Sequence, residues 1–158
     1  MNNISEYTQL LEILRQQEEQ LQFKHFTNET ALELGLKLVE AARTKTRGVT
    51  VDICRNGQQL FHYALPGTAP DNDEWIKRKN RVVNRFNHSS YYMGIYYKSQ
   101  NTTIAEKSFL DPTEYADHGG AFPLIIQNLG VVGTITVSGL PQEEDHKLVI
   151  TVLQEFLA

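Results

Sequence analysis

The sequence predicts a mixed α/β fold of the α+β kind, in which helices pack on one antiparallel sheet. Three observations support this prediction: two β-hairpin patterns, a helical pattern between them, and helical patterns at both ends of the chain. Hairpins join antiparallel strands, and the apolar face of the resulting sheet needs helices as cover. A chain of 158 residues is long enough for one domain with a single core.

The N-terminal segment predicts two helices separated by a short connector. Residues 4 to 22 have apolar side chains at helical spacing and form the first helix. Residues 28 to 44 form the second, with Thr27 or Asn28 as its cap and an apolar face wide enough to pack on a sheet. Residues 21 to 26 are a connector or a short strand.

The first hairpin has the clearest strand pattern in the chain. Apolar and polar residues alternate over residues 49 to 54, and a second apolar run covers residues 60 to 65. Asn56-Gly57 between them favours a type I′ turn, because both central positions of that turn need positive φ. Closing the turn places Val51 opposite His62. We therefore expect His62 on a mostly apolar face.

The middle of the chain predicts a third helix over residues 72 to 88, with a continuation to residue 99 as the alternative. Asp71 or Asp73 starts this helix, and an apolar side runs along it. The segment from 91 to 97 contains four tyrosines, and the continuation is indicated by Tyr92, Tyr96 and Gln100, which would share one helix face.

The C-terminal third predicts a second hairpin and a last helix. Residues 122 to 127 form a strand, Asn128 to Gly130 form a three-residue loop with glycine at the left-handed position, and residues 131 to 138 form the return strand. Pro141 opens the last helix, because proline is favoured in a first helical turn.

Composition and charge exclude several classes of protein. Hydrophobic residues make up 41% and charged residues 22% of the chain, as in an ordinary globular domain. The net charge of -4 argues against general binding to nucleic acid or to anionic membranes. The sequence shows neither an apolar membrane span nor a signal-peptide pattern at its start. The single cysteine, Cys54, fits a reducing compartment, so we expect a cytoplasmic protein.

The most unusual local sequence runs from Asp117 to Pro123. Gly119 and Gly120 follow His118, and two glycines let backbone N–H groups approach a ligand closely. His118 is a candidate base, metal ligand or axial haem ligand. A tight turn into the next strand, with His118 hydrogen-bonded to its own loop, is the alternative interpretation.

Two further segments have a structural and a functional interpretation. Residues 136 to 146 join a strand to a helix N-terminus, where an anion can bind, although plain capping with Asp145 explains the same pattern. The basic run from Lys77 to Arg85 fits either anion binding or a solvated helix face. The five histidines lack metal-ligand spacing, and no nucleotide-binding loop or serine-hydrolase motif is present.

Several runs of the sequence resemble a known family. The segments 118–123, 130–142 and 145–146 are similar to the uncharacterised protein family numbered 0303 in the UPF series. That family is related to the haem-degrading-domain group typified by GlcG and HbpS. The similarity covers most of the chain after about residue 30. Upstream matches are Gly48 to Ile53, the strand at Leu60-Phe61, Trp75-Ile76 with Lys79, and Phe86 before Ser89-Ser90.

The resemblance implies a fold, an assembly and a ligand class. It implies a profilin-like fold with an antiparallel sheet of about five strands and helices packed on it. It also implies a single GlcG/HbpS-like domain over residues 1–158, with residues 1–26 as an N-terminal helical extension. Members of the wider group form homo-oligomers, and some bind or degrade haem.

The leading hypothesis is a cytoplasmic, oligomeric protein that binds haem or another planar anionic small molecule. We expect His118 to supply an axial or hydrogen-bonding contact, and Lys79 or Arg81 to meet a propionate. The glycines after His118 allow close backbone approach. The predicted ligand-binding residues are His118, Gly119, Gly120, Trp75, Lys79, Arg81 and Asp145.

Two other hypotheses remain open from the sequence. The first is a non-enzymatic interaction module that uses the tyrosines between residues 91 and 97, since amphipathic aromatic residues are enriched at interfaces. The second is an enzyme acting on a small molecule, with His118 as general base and Asp117 or Asp145 orienting it. In none of these hypotheses do we expect a metal ion, nucleic acid or a membrane as partner.

Overall fold

The computed structural model describes residues 3–158, and within them six helices surround a four-stranded sheet. The elements are α1 (Ile4–Gln20), α2 (Asn28–Ala42), β1 (Thr50–Arg55), β2 (Gln58–Ala64), α3 (Pro70–Phe86), α4 (Ser90–Ser99), α5 (Ile104–Ser108), β3 (Ala121–Ile126), β4 (Gly130–Ser138) and α6 (Gln142–Phe156). The predicted α+β class and both hairpins are confirmed. The expected fifth strand is replaced by one parallel bridge from Phe23 to Ile126.

The sheet has one apolar face and one face whose side chains are mostly polar. Its order is β2-β1-β4-β3, and all three neighbouring pairs are antiparallel. Val51 and Ile53 lie on the face that α2 and α6 cover, where the main apolar core closes. Asp52 lies on the opposite face under α3, where it accepts a hydrogen bond from the side chain of Asn80. Thr136, also buried, donates to the same asparagine.

A β-bulge in the first hairpin overturns the prediction for His62. Near the turn, Cys54 pairs with Gln59, but the next residue, Ile53, pairs with Phe61 and leaves Leu60 as the extra residue. One extra residue moves every later side chain to the other face of the sheet. His62 therefore pairs with Asp52 on the polar face, and not with Val51 as the turn alone predicted.

The third helix ends at Phe86, and a separate helix, α4, follows from Ser90 to Ser99. The alternative in which one helix continues to residue 99 is therefore wrong. Asn87 adopts a left-handed conformation with φ of 59° and ends α3. The Ser89 side chain then accepts the amide hydrogen of Tyr92 and caps α4. The break leaves α3 with 17 residues, and no helix in the described part of the chain is long and apolar enough to cross a membrane.

Buried polar contacts help to attach helix α1 to the rest of the domain. Buried Glu18 accepts hydrogen bonds from His88 Nδ1 at 2.7 Å and from the Ser89 amide at 3.1 Å, both at the start of α4. One residue earlier, Gln17 Oε1 lies 2.8 Å from His146 Nε2 on α6. These contacts fix the N-terminal helix against α4 and α6.

Candidate functional site

One open pocket brings together residues from four parts of the fold. It has a volume of about 330 Å³ and lies where the start of α3 meets the turn between β4 and α6. The loop before β3 and the loop before β1 complete its walls. The lining residues are Arg47, Asp71, Asn72, Trp75, Lys79, His118, Ser138, Gly139, Leu140, Gln142 and Asp145. Four of the seven sequence-predicted residues, Trp75, Lys79, His118 and Asp145, therefore line one pocket.

His118 lies exposed at the mouth of this pocket, next to the tryptophan. Its ring centroid is 5.4 Å from that of Trp75, and the two planes are tilted by 55°. Partial burial lowers the pKa of His118, and the positive charges of Lys79, Lys98 and Arg78 lower it further against the opposing effect of Asp117. The imidazole is therefore predominantly neutral at pH 7, with one ring nitrogen free to accept a hydrogen bond or bind a metal.

The half-buried Trp75 ring also contacts Arg78, on the same helix. The guanidinium carbon of Arg78, one helical turn along α3, lies 4.3 Å from the ring centroid of Trp75. A guanidinium at this distance from an indole ring is a cation–π contact. The indole thus forms a fixed aromatic wall beside His118.

Lys79 and Asp145 form a buried ion pair at the base of the pocket. Nζ of Lys79 lies 3.1 Å from Oδ2 of Asp145 and 3.3 Å from the Val137 carbonyl oxygen. Asp145 also accepts hydrogen bonds from the amides of Gly139 and Leu140. Burial lowers the pKa of Lys79 and raises that of Asp145, while the attraction between the two groups opposes both changes. The pair ties α3 to α6, so its charge is already balanced within the protein.

The two glycines after His118 fit close against other parts of the backbone. A Cβ atom on Gly119 would lie 2.2 Å from the Gln142 carbonyl oxygen, at the start of α6. Gly120 has φ of 138°, and a Cβ there would lie 2.4 Å from the Val137 carbonyl oxygen. The close approach that the sequence indicated is thus made to the protein's own backbone, and neither glycine lines the pocket.

Arg81 lies outside the pocket, and the sequence did not single out the arginine that lies within it. Arg81 contacts Glu114 through both its carboxylate, at 3.3 Å, and its carbonyl oxygen, at 3.1 Å. Arg47 lines the pocket and forms no ion pair within residues 3–158. The loop that contains Arg47 reaches the pocket because Gly48 packs against Gly139. A Cβ atom added to Gly139 would lie 2.2 Å from the Gly48 carbonyl oxygen. The contact between these two glycines, distant in sequence, therefore brings Arg47 to the pocket.

Neither carboxylate proposed to orient His118 is hydrogen-bonded to it. Asp145 is occupied by Lys79 and two backbone amides, and Asp117 acts on His118 through its charge alone. In the part of the chain that the structure describes, His118 has no orienting carboxylate. An enzyme mechanism with a His–Asp pair therefore has no geometric support.

The tyrosines between residues 91 and 97 are used inside the domain. Tyr97 is fully buried and lies 2.6 Å from the Ser108 hydroxyl. Tyr92 stacks on His88 with centroids 4.1 Å apart, and Tyr91 packs against His146. These three tyrosines therefore contribute to packing within the domain.

A second polar cluster lies on the sheet face under α3. Asp52 lies 3.0 Å from His62 Nδ1 and accepts a hydrogen bond from Gln59, while His62 Nε2 lies 3.0 Å from Asp73. Burial raises the pKa of the neighbouring Cys54 thiol to about 12, with the Asp52 carboxylate adding to the effect. The thiol thus stays protonated and unreactive. No three His, Cys, Asp or Glu residues among 3–158 are placed to hold a metal ion.

Comparison with known proteins identifies the family. A family model described as haem-degrading protein HbpS-like matches residues 26–154, which span the sheet, the pocket and most of α6. The chain belongs to the HbpS-like haem-degrading family. The resemblance deduced from the residues around His118 is thereby confirmed.

Individual relatives are similar to this chain over most of its length. A UPF0303 protein of Streptomyces coelicolor is 54% identical over 144 residues, covering 91% of this chain and 91% of that protein. Among solved structures, the Ybr137w protein has a TM-score of 0.86 at 38% identity, covering 92% of this chain and 86% of that one. A PduOC:haem complex has a TM-score of 0.69 at 17% identity, covering 82% and 93% respectively, and shows a shared fold.

Proposed function

We propose that this protein binds haem, or another planar anionic small molecule, in the pocket formed by His118 and Trp75. The observation that carries the proposal is a neutral, exposed imidazole at the mouth of a pocket, beside an aromatic wall. Membership of a family described as haem-degrading supports haem as the candidate. So does the fold shared with a protein solved as a haem complex.

The chemistry of the donor set fits haem. Imidazole is a common axial ligand of haem iron, and the lowered pKa of His118 keeps its ring nitrogen unprotonated at pH 7. When bound, haem would supply an iron centre for ligand or redox chemistry. Trp75 would pack against the face or edge of the macrocycle and exclude water from that side of the site.

The charges around the pocket indicate which basic side chain would pair with a carboxylate of the ligand. The sequence proposed Lys79 or Arg81, but Lys79 is neutralised by Asp145 and Arg81 is paired with Glu114. Arg47 lines the pocket and keeps its guanidinium available, and a guanidinium matches the two oxygens of a carboxylate. We assign the contact with a ligand carboxylate to Arg47.

The proposal extends to organisation, assembly and location. We propose one domain over residues 1–158, in which residues 1–26 are an N-terminal helical extension. The family model, which begins at residue 26, supports this boundary. The protein is further proposed to be a cytoplasmic homo-oligomer.

A haemin titration followed by Soret absorbance tests the ligand. The wild-type protein should show a saturable shift near one haemin per chain. His118→Ala should weaken binding by at least about tenfold, which corresponds to the loss of one good ligand contact. The matched control is His25→Ala, since His25 is also exposed but lies outside the pocket. A weak, non-saturating shift that is equal in all three proteins would overturn the proposal.

A further inference from the structure

The two outer edges of the sheet are treated differently by the fold. At the β3 edge, Phe23 donates its amide hydrogen to Ile125 and accepts one from Gln127, both at 2.8 Å. The chain's own connector thus covers part of this edge. At the β2 edge, no backbone group of residues 3–158 pairs with the outward side of the strand. The strand β2 is therefore an open edge with unpaired backbone groups.

The β2 edge also lacks most of the features that keep edge strands from pairing. Its seven residues, Gln58 to Ala64, include no proline and no lysine, arginine, aspartate or glutamate. The bulge at Leu60 lies near the turn, and the residues beyond it, from Phe61 onward, pair regularly with β1. Proteins usually protect exposed edges with charges, prolines or bulges. The outer half of β2 has none of these.

An exposed apolar strip runs beside this edge. Helix α2 packs directly on β2, where an added Cβ on Gly35 would lie 2.3 Å from the Phe61 ring. On the same flank of α2, Leu32 is 46% and Leu36 is 55% exposed, and on β2 Tyr63 is 41% exposed. The opposite flank of α2 faces α6. The strip therefore belongs to the open side of the domain.

We infer that a second copy of this chain covers the β2 edge and the α2 flank together. One added strand would satisfy the backbone of β2 but would leave Leu32 and Leu36 exposed, because they project from the helix layer. In a second copy related by a twofold axis, β2 would lie antiparallel to the first β2, and α2 would meet the first α2. Both the sheet edge and the helix flank would then be covered. The facing β2 strands would bring no lysine, arginine, aspartate or glutamate together. Pairing of this kind joins two sheets into one of eight strands.

This inference specifies an interface for the proposed homo-oligomer and rests on that assembly, but it does not depend on the ligand. Light scattering coupled to size exclusion measures the mass of the wild-type protein against the 18.0 kDa of one chain. Leu36→Lys and Tyr63→Lys place a charge in the strip and, because both positions are exposed in the single chain, should leave the fold intact. Leu129→Lys is the matched control, since Leu129 is 73% exposed at the tip of the other hairpin.

The expected result is a wild-type mass of at least twice that of one chain, which falls by half in Leu36→Lys and Tyr63→Lys and is unchanged in Leu129→Lys. Hydrogen exchange should show the amides of residues 61–64 protected in the wild type and faster in Leu36→Lys. An oligomer whose mass neither strip variant alters would overturn the interface and leave the assembly intact. A wild-type mass of one chain would overturn both, and the β2 edge would then be open to a strand of another protein.

Discussion

Replacing Lys79 by methionine should destabilise the protein more than any other single change at the pocket. Methionine fills a similar volume but removes the charge that compensates Asp145. Asp145 is 1% exposed and Lys79 is 3% exposed, so water does not replace the lost partner. Asp145 would keep only the amides of Gly139 and Leu140. Leaving one charge of a buried pair uncompensated costs about 3 to 5 kcal/mol.

The free energy of unfolding by urea, measured at pH 7, checks this value. For a chain of this size the same loss should lower Tm by about 6 to 20 °C. Lys77→Met is the matched control, because Lys77 lies on the same helix and its ion pair, with Glu74, is exposed. An exposed pair of this kind contributes about 0 to 1 kcal/mol, so the control should stay close to the wild type.

The double variant Lys79→Met with Asp145→Leu separates the charge effect from simple packing. It removes both charges and leaves two backbone amides without their carboxylate, which costs about 1 to 3 kcal/mol for each amide that stays buried. Each single change leaves one buried charge uncompensated, whereas the double change leaves none. The coupling free energy between the two sites should be favourable and larger than about 1 kcal/mol for this reason. If Lys79→Met stays within about 1 kcal/mol of the wild type, Asp145 is not a buried, uncompensated charge and the reasoning is refuted.

Three further changes test other parts of the fold. Burial lowers the pKa of His146 from 6.5 to about 4, so between those pH values the unfolded chain takes up the proton first. Acidification should thus cost the wild type about 3 kcal/mol of unfolding free energy that His146→Gln does not lose, and parallel pH profiles would contradict this. Glu18→Ala should cost about 1 to 3 kcal/mol and speed exchange of the Ser89 amide, because that amide and His88 lose their acceptor. Gly119→Ala should cost about 1 to 3 kcal/mol in urea unfolding through its clash with the Gln142 carbonyl, and full stability would show that this contact yields.

Local patterns in the sequence were sufficient for most of the fold. Asn56-Gly57 and the loop ending at Gly130 located both hairpins, because these turns need residues that accept positive φ. The bulge at Leu60 has no such signature, so strict alternation predicted the wrong face for His62. The left-handed Asn87 was equally hidden, since asparagine also occurs within helices.

Four of the seven site residues predicted from the sequence line the pocket, and the sequence did not single out Arg47. His118 and Trp75 were expected in one pocket and lie there, 5.4 Å apart. Lys79 and Asp145 were both assigned to a ligand, but they pair with each other across 66 residues of sequence. Pairing over such a distance depends on how α3 and α6 pack. Arg47 was missed for the same reason, because its position depends on the contact between two distant loops.

The fluorescence of the single tryptophan tests the proposed site most directly. Trp75 lines the pocket beside His118, so haem bound there would lie within a few ångströms of the indole and quench its emission. Quenching should saturate near one haemin per chain, in step with the Soret change, and should be lost at low haemin in His118→Ala. A saturable Soret change without quenching of Trp75 would show that haem binds elsewhere and would contradict the account.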